Sequence, residues 1–328
     1  MTDADSKETF VSWQVDGIDV NATLTRPDGE GPFPAAIMVA GSGPTDRDWN
    51  SPLIPGTNGS GRLFAQALTG AGYVTLRYDK RASGPQGNEN AVRMAGKISM
   101  QGHIDELAGG VKLLAGRHDV DPQRIFALTN SEGCIHALNY QIEAAGTPFT
   151  GLVLTSAPAR PVGEVARGQI AAQLTLVPDG DRWLAVYDAA MADFSAGRPV
   201  QVGEDFPDLL RTVLLGVTNP INQPFARELW VTEPAALLSR VSVPILIVIG
   251  KKDIQVDWHA DGAIFEAAAK TRENITVAYA ENANHVLKYE PRDLVQLTPT
   301  DVMMTYSGDG VMLDTDSAAL ITKWLTAH

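Results

Sequence analysis

Five short apolar runs, separated by segments of helical period, constrain this chain more than any other feature. PAAIMVA (34–40), YVTLRYD (73–79), RIFALTN (124–130), GLVLTSA (151–157) and PILIVIG (244–250) are each nearly continuous in apolar residues, and a last strand is expected at ITVAYAE (275–281). A strand with one wet face alternates apolar and polar side chains, so unbroken runs imply strands buried on both faces. Between them lie helical patterns at about 60–71, 99–116 and 131–145, the second ending before DVDPQ and the third before Gly146. Strand and helix in alternation imply a mostly parallel sheet with helices on both faces. The stretch ETFVSWQVDGIDVNATLTR (8–26) alternates instead, around Asp16-Gly17, which predicts an antiparallel two-stranded start.

The alternation breaks after residue 158. About 80 residues follow without a strong strand run, bearing helical patterns near 163–175, 181–196, 204–215 and 224–239. This predicts three segments: residues 1–158 as the first part of an α/β core, 159–240 as an inserted helical cap, and 241–328 as the second part of the core. A last helix is expected at 316–327, and 288–315 has no clear period and reads as a long loop.

Composition excludes several partners. The 328 residues carry a formal net charge of −13, which argues against a nucleic-acid partner, because phosphate binding needs clustered Lys and Arg. A single cysteine, Cys134, rules out an internal disulfide and a thiolate-built zinc site, and it fits a reducing compartment. MTDADSKETF lacks the basic start and apolar core of a signal peptide, and no apolar run approaches the roughly 20 residues that span a bilayer. The expectation is therefore a cytoplasmic protein with no membrane partner; a homodimer is left open.

The chemistry gathers at strand ends, where open α/β sheets bind their ligands. RIFALTN runs into Ser131-Glu132-Gly133, and a helical pattern follows. A serine in a sharp strand-to-helix turn presents its hydroxyl to the cleft, and small neighbours let strand and helix pack around it. Serine is also a common helix cap, so the pentapeptide alone does not decide between the roles. A serine nucleophile needs a base and an orienting carboxylate. Asp253 stands three residues past PILIVIG, and His285 four residues past ITVAYAE, so Ser131, Asp253 and His285 follow in the order of an α/β-hydrolase triad. Asp257 competes as the acid, but lies further from its strand. His103, His118 and His136 fall in or beside helical patterns as packed or solvated residues, His259 follows in the loop after Asp253, and Cys134 reads as a small buried side chain. No His/Asp/Glu cluster has metal spacing, so neither metal nor other cofactor is expected.

A tetrahedral intermediate needs amide donors for its oxyanion. The backbone N–H of Glu132 is one expected donor, and the loop AGSGPTDRDWN (40–50) should supply the other from Ser42, with Gly43 as the next candidate. The Glu132 side chain is left undecided between polarising a substrate group and facing solvent.

GSGPTDRD, LRYDKRASG, TNSEGC, IGKKDIQVD and NANHVLK, in this order, resemble the esterase and acyl-hydrolase branch of the α/β-hydrolase superfamily that is similar to dienelactone hydrolases. The resemblance implies an α/β-hydrolase fold, a mostly parallel sheet with an antiparallel start and an inserted helical cap. It also implies a structural network of Asp46, Arg47, Asp48, Asp79, Lys80 and Arg81 supporting the oxyanion loop, with direct substrate contact as the alternative. Against the branch pattern, Thr129 replaces the first elbow glycine, Asn130 a histidine, Cys134 a later glycine, Trp49 the glycine after DRD and Ala82 the glycine after DKR. Thr129 puts a branched side chain where strand and helix meet, and Trp49 suggests a bulky wall to the substrate site. The expected activity is that of a serine hydrolase on a small-molecule carboxylic ester, thioester or lactone. An acyltransferase or peptidase with the same triad, and a non-catalytic ligand-binding member of the fold, stand as alternatives. Trp183 and Trp230 in the cap are expected either to roof the cleft or to pack the cap's own core.

Overall fold

The computed structural model of the chain describes residues 7–143, 146–298, 301, 305–308 and 310–328. Eight strands form one sheet: β1 (Lys7–Val15), β2 (Ile18–Arg26), β3 (Phe33–Val39), β4 (Val74–Tyr78), β5 (Val120–Asn130), β6 (Gly151–Thr155), β7 (Ile245–Gly250) and β8 (Ile275–Ala280). Their spatial order is β1-β2-β4-β3-β5-β6-β7-β8. The β1–β2 hairpin and the β2–β4 pairing are antiparallel, and every other pairing is parallel. The unbroken apolar runs have the expected cause. On β5, Ile125 and Ala127 join the core on one side of the sheet while Phe126 and Leu128 join the core on the other. On β7, Ile245, Ile247 and Ile249 face one way and Leu246 and Val248 the other.

The helices that cover the sheet follow the same logic. α1 (Ser60–Gly70) and a C-terminal helix, Thr315–Ala327, cover one face with Phe64, Leu68, Ile321 and Leu325. α3 (Met100–Ala115) and α4 (Glu132–Glu143) cover the other with Leu107, Val111, Ala137 and Leu138. α2 (Gly87–Met94) and α10 (Ala260–Ala269), counted in chain order, have no counterpart in the sequence reading. α2 buries only Gly87, Asn90 and Met94, and α10 only Asp261, Gly262 and Phe265, so neither carries a continuous apolar stripe to read.

Between β6 and β7 lie α5 (Val162–Leu174), α6 (Gly180–Ser195), α7 (Asp208–Val217), α8 (Phe225–Val231) and α9 (Pro234–Ser239). The single pattern expected over 224–239 is divided at Pro234, whose ring has no N–H to continue a helix. Leu174, Trp183, Tyr187, Phe194, Leu210 and Leu214 form a separate apolar core within α5–α7. Leu238 of α9 belongs instead to the core of the sheet. α8 is seated on the body by Phe225 N–H donating to Ile98 O (2.8 Å) and Met100 N–H donating to Glu228 Oε2 (2.6 Å). Within 288–315, Leu294–Gln296 form one turn of 3₁₀ helix and Lys288 bridges to Leu313; the rest of that expected loop lies partly outside the described residues.

Candidate active site

β5 ends at Asn130 and α4 begins at Glu132, so Ser131 alone makes the turn. Its φ is 52°, a left-handed conformation that non-glycine residues adopt only where the surroundings hold them. The hold is visible: Ser131 N–H donates to Thr155 O (2.9 Å) and Cys134 N–H donates to Ser131 O (3.0 Å). Gly133 is obligatory for packing, because a Cβ there would stand 2.5 Å from Val39 O and 2.7 Å from Ala40 O. Thr129, the branched residue in the elbow, is accommodated within the sheet. Its buried hydroxyl donates to Val153 O (3.0 Å) and lies 3.1 Å from Cys134 Sγ.

Asp253 lies just beyond β7 and His285 in the loop after β8; both are buried. Asp253 Oδ1 accepts the amides of Gln255 (2.7 Å) and Val256 (3.0 Å), which leaves Oδ2 for His285 Nδ1 at 2.7 Å. An ionised carboxylate only accepts, so Nδ1 carries the ring proton and Nε2 keeps its lone pair. Asn130 anchors the His285 backbone, Nδ2 donating to His285 O (2.9 Å). The His285 ring also lies parallel to Tyr306, with centroids 6.3 Å apart. Ser131 and His285 share a cavity of about 270 Å³ with Gly41, Ser42, Gly43, Trp49, Gln255 and Tyr306. Ser42, Gly43, Trp49, Ser131 and His285, all expected at the site, line this cavity, and Asp253 supports it through His285. Gln255 and Tyr306 were not anticipated; Tyr306 comes from a stretch whose sequence has no period to read.

The Glu132 side chain neither faces solvent nor stands free. It is buried, with Oε1 accepting from Lys80 Nζ (2.8 Å) and 3.1 Å from His136 Nε2. Burial pushes its carboxyl up, but the Lys80 charge and the His136 hydrogen bond outweigh that and hold it below the usual carboxylate range. Burial pulls His136 down to about 4, so this imidazole is neutral near pH 7 and donates from Nε2 to the carboxylate. Lys80 Nζ makes a second bond, to Gly41 O (2.6 Å), which also accepts from Thr45 Oγ1 (3.0 Å). In a trans peptide the C=O and N–H point opposite ways. Anchoring Gly41 O therefore turns the Ser42 N–H away from Lys80. The Glu132 N–H, at the first position of α4, has no partner within the helix.

The remaining charges at the strand ends are tied to each other, as the resemblance implies. Asp79 accepts Arg47 N (2.7 Å) and Nη2 (2.6 Å), Arg77 pairs with Asp48 and Glu8, and Arg81 pairs with Glu106 (2.7 Å) and Asp16 (2.8 Å). Asp46 accepts the amides of Asp48 (2.8 Å) and Asn50 (2.9 Å). Trp49 has φ 68°, the conformation that favours the glycine it replaces; its ring is buried against Phe64 at 5.9 Å and closes one side of the cavity. Asp257 is exposed and accepts the amides of His259 and Ala260 at the start of α10, which takes it out of competition with Asp253. His259 stacks on Trp258, His118 is exposed, and burial pushes the Cys134 thiol up to about 12. Among the described residues no three His, Cys, Asp or Glu side chains are grouped to hold a metal ion, and no helix is long and apolar enough to cross a membrane.

A second cavity, of about 1030 Å³, opens beside the first between α2, the loop 40–50 and α8. The two cavities share Gly43, Ser51, Leu53 and Ile54. Of the two tryptophans expected in the cap, Trp183 is buried in the apolar core of α5–α7, while Trp230 lines the larger cavity.

Sheet order, strand-end serine and helical insertion together define an α/β-hydrolase fold. No protein-family model matches the chain. Esterase EstD of Thermotoga maritima is 28% identical over 275 residues, which cover 80% of this chain and 57% of EstD, so the match spans a little over half of that relative. Among solved structures, Est1E of Butyrivibrio proteoclasticus with bound ferulic acid aligns with a TM-score of 0.57 at 15% identity, covering 97% of this chain and 100% of Est1E. A dienelactone hydrolase from Anabaena variabilis aligns at 0.53 with 16% identity, covering 99% of each chain. The relatives are thus of the kind the sequence motifs resemble.

Proposed function

We propose that the chain is a serine hydrolase of small-molecule carboxylic esters, with thioesters and lactones as near variants. The observation that carries the reading is Ser131 at φ 52°, lining one cavity with a His285 whose Nδ1 is held by buried Asp253. The esterase relative supports the same bond type. In this mechanism His285 Nε2 takes the Ser131 proton as Oγ attacks the carbonyl carbon, and Asp253 stabilises the imidazolium that results. The N–H groups of Ser42 and Glu132 hold the oxyanion, with Gly43 as the neighbouring donor. His285 then delivers its proton to the leaving oxygen, and water activated by the same imidazole releases the acid. Residues 159–240 act as the cap, α5–α8 roofing the cleft while α9 packs on the body.

The test is hydrolysis of a p-nitrophenyl ester series together with labelling by a serine-directed phosphonate. Wild type is expected to turn over and to be labelled at Ser131, and Ser131→Ala to do neither. Comparable rates in the alanine variant would refute the mechanism.

A further inference from the structure

The two adjoining cavities divide any bound ester into two unequal parts, and the position of the general acid decides which part goes where. This inference rests on the hydrolase reading above. At the reaction centre the carbonyl carbon carries three groups besides the attacking serine oxygen: the developing oxyanion, the leaving oxygen and the acyl substituent. The oxyanion points to the amides of Ser42 and Glu132. The leaving oxygen has to sit within hydrogen-bond reach of His285, since that residue protonates it. His285 lines the smaller cavity and not the larger, whereas Glu132 and Lys80 line the larger and not the smaller. The leaving alcohol therefore occupies about 270 Å³, beside Gln255, Val286 and Tyr306, and the acyl group extends past Gly43 into about 1030 Å³.

The lining of the larger cavity describes the acyl group. Its walls are Met94, Ile98, Phe225 and Leu229, and α8, which carries the last two, is pinned to the body through Ile98 and Met100. Of its ionisable lining, Lys80 is paired with Glu132, Glu106 with Arg81 and His103, and Asp46 is occupied by the amides of Asp48 and Asn50, so these groups are engaged within the protein. Its volume stands at the top of the roughly 300–1,000 Å³ range that encloses drug-sized ligands. We propose that the enzyme selects a bulky, uncharged, predominantly apolar acyl group esterified to a small alcohol, with α2 and α8 as the acyl-selecting walls.

The experiment is a two-way ester matrix. Methyl esters of acetic, cyclohexanecarboxylic and naphthoic acids vary the acyl side; methyl, cyclohexyl and naphthylmethyl acetates vary the alcohol side. We expect kcat/KM to rise at least tenfold along the first series and to fall at least tenfold along the second. The reverse order, or a spread under threefold in both, overturns the assignment of the chambers. Ala91→Trp places an indole on the α2 wall, and is expected to lower kcat/KM for the naphthoate at least tenfold more than for the acetate; an equal loss on both overturns it. Should that variant not fold, the wild-type matrix stands as the test. The failures of the two readings are separable. If no ester is hydrolysed, the hydrolase reading falls, while Ser131 labelling by methyl- and naphthyl-substituted phosphonates with one small leaving group still measures the size preference. A naphthyl probe that labels no faster than the methyl probe overturns the chamber assignment on its own.

Discussion

Replacing Lys80 by methionine tests whether the loop carrying Ser42 and helix α4, which follows Ser131, are held by one buried cation. The substitution keeps most of the side-chain volume and removes both of its bonds, to Gly41 O (2.6 Å) and Glu132 Oε1 (2.8 Å). Breaking one partner out of a buried pair costs about 3–5 kcal/mol. Glu132 keeps His136 at 3.1 Å, so the loss should fall near the lower end, about 3 kcal/mol. Deleting an oxyanion donor lowers kcat by about 10²–10³. Here the Ser42 amide survives and Thr45 Oγ1 still holds Gly41 O at 3.0 Å, so a fall of about ten- to a hundredfold in kcat with little change in KM is expected. The pH dependence separates this from a general weakening. In the parent, Glu132 is held below the usual carboxylate range, so its contribution is present above that range and is lost as pH falls. Without Lys80, burial dominates and raises the carboxyl above its unfolded value. Its contribution to the variant is then present at low pH and lost as pH rises. Urea denaturation at pH 8, 6.5 and 5 should therefore show the stability gap narrowing on acidification. A gap independent of pH, or a kcat within twofold of the parent alongside the lost stability, would refute the reasoning.

Three further substitutions probe the neighbouring contacts. Asp253→Asn keeps the shape of the site but removes the acceptor that fixes the His285 proton on Nδ1, so kcat should fall by about 10⁴ with the fold intact by circular dichroism. Asn130→Ala removes the bond to His285 O and should cost about 1 kcal/mol of stability and roughly tenfold in kcat, read by thermal melts and steady-state kinetics. Thr129→Gly restores the glycine of the family pattern yet loses the bond to Val153 O and adds chain entropy. Stability should drop by about 1.5–2.5 kcal/mol with no gain in rate, and a faster enzyme would show that Thr129 distorts the elbow.

What the sequence disclosed, and what it withheld, follows from the range over which each feature is determined. Strands such as Ile245–Gly250 are legible because burial on both faces writes itself into consecutive residues. α10 is not, because only three of its residues are buried and alanine fills most of the rest. The positions of Ser131, Asp253 and His285 are legible because each stands directly after, or a few residues past, a recognisable strand. The Lys80–Glu132 pair joins residues 52 positions apart, and no local pattern ties one to the other. The two glycine replacements in the loop and elbow sharpen the point. On paper, Trp49 and Thr129 are the same kind of departure, a bulky residue where the family pattern has glycine. In the fold, Thr129 occupies an ordinary strand position and satisfies its hydroxyl, so the glycine there was a matter of space. Trp49 sits at φ 68°, so the glycine there was a matter of backbone conformation, and the strain, of order 1–3 kcal/mol, has to be offset by what the ring gains. Burying an indole against Phe64 is worth about that much, which makes the ring's own packing the reason the loop carrying Ser42 can hold its shape without glycine.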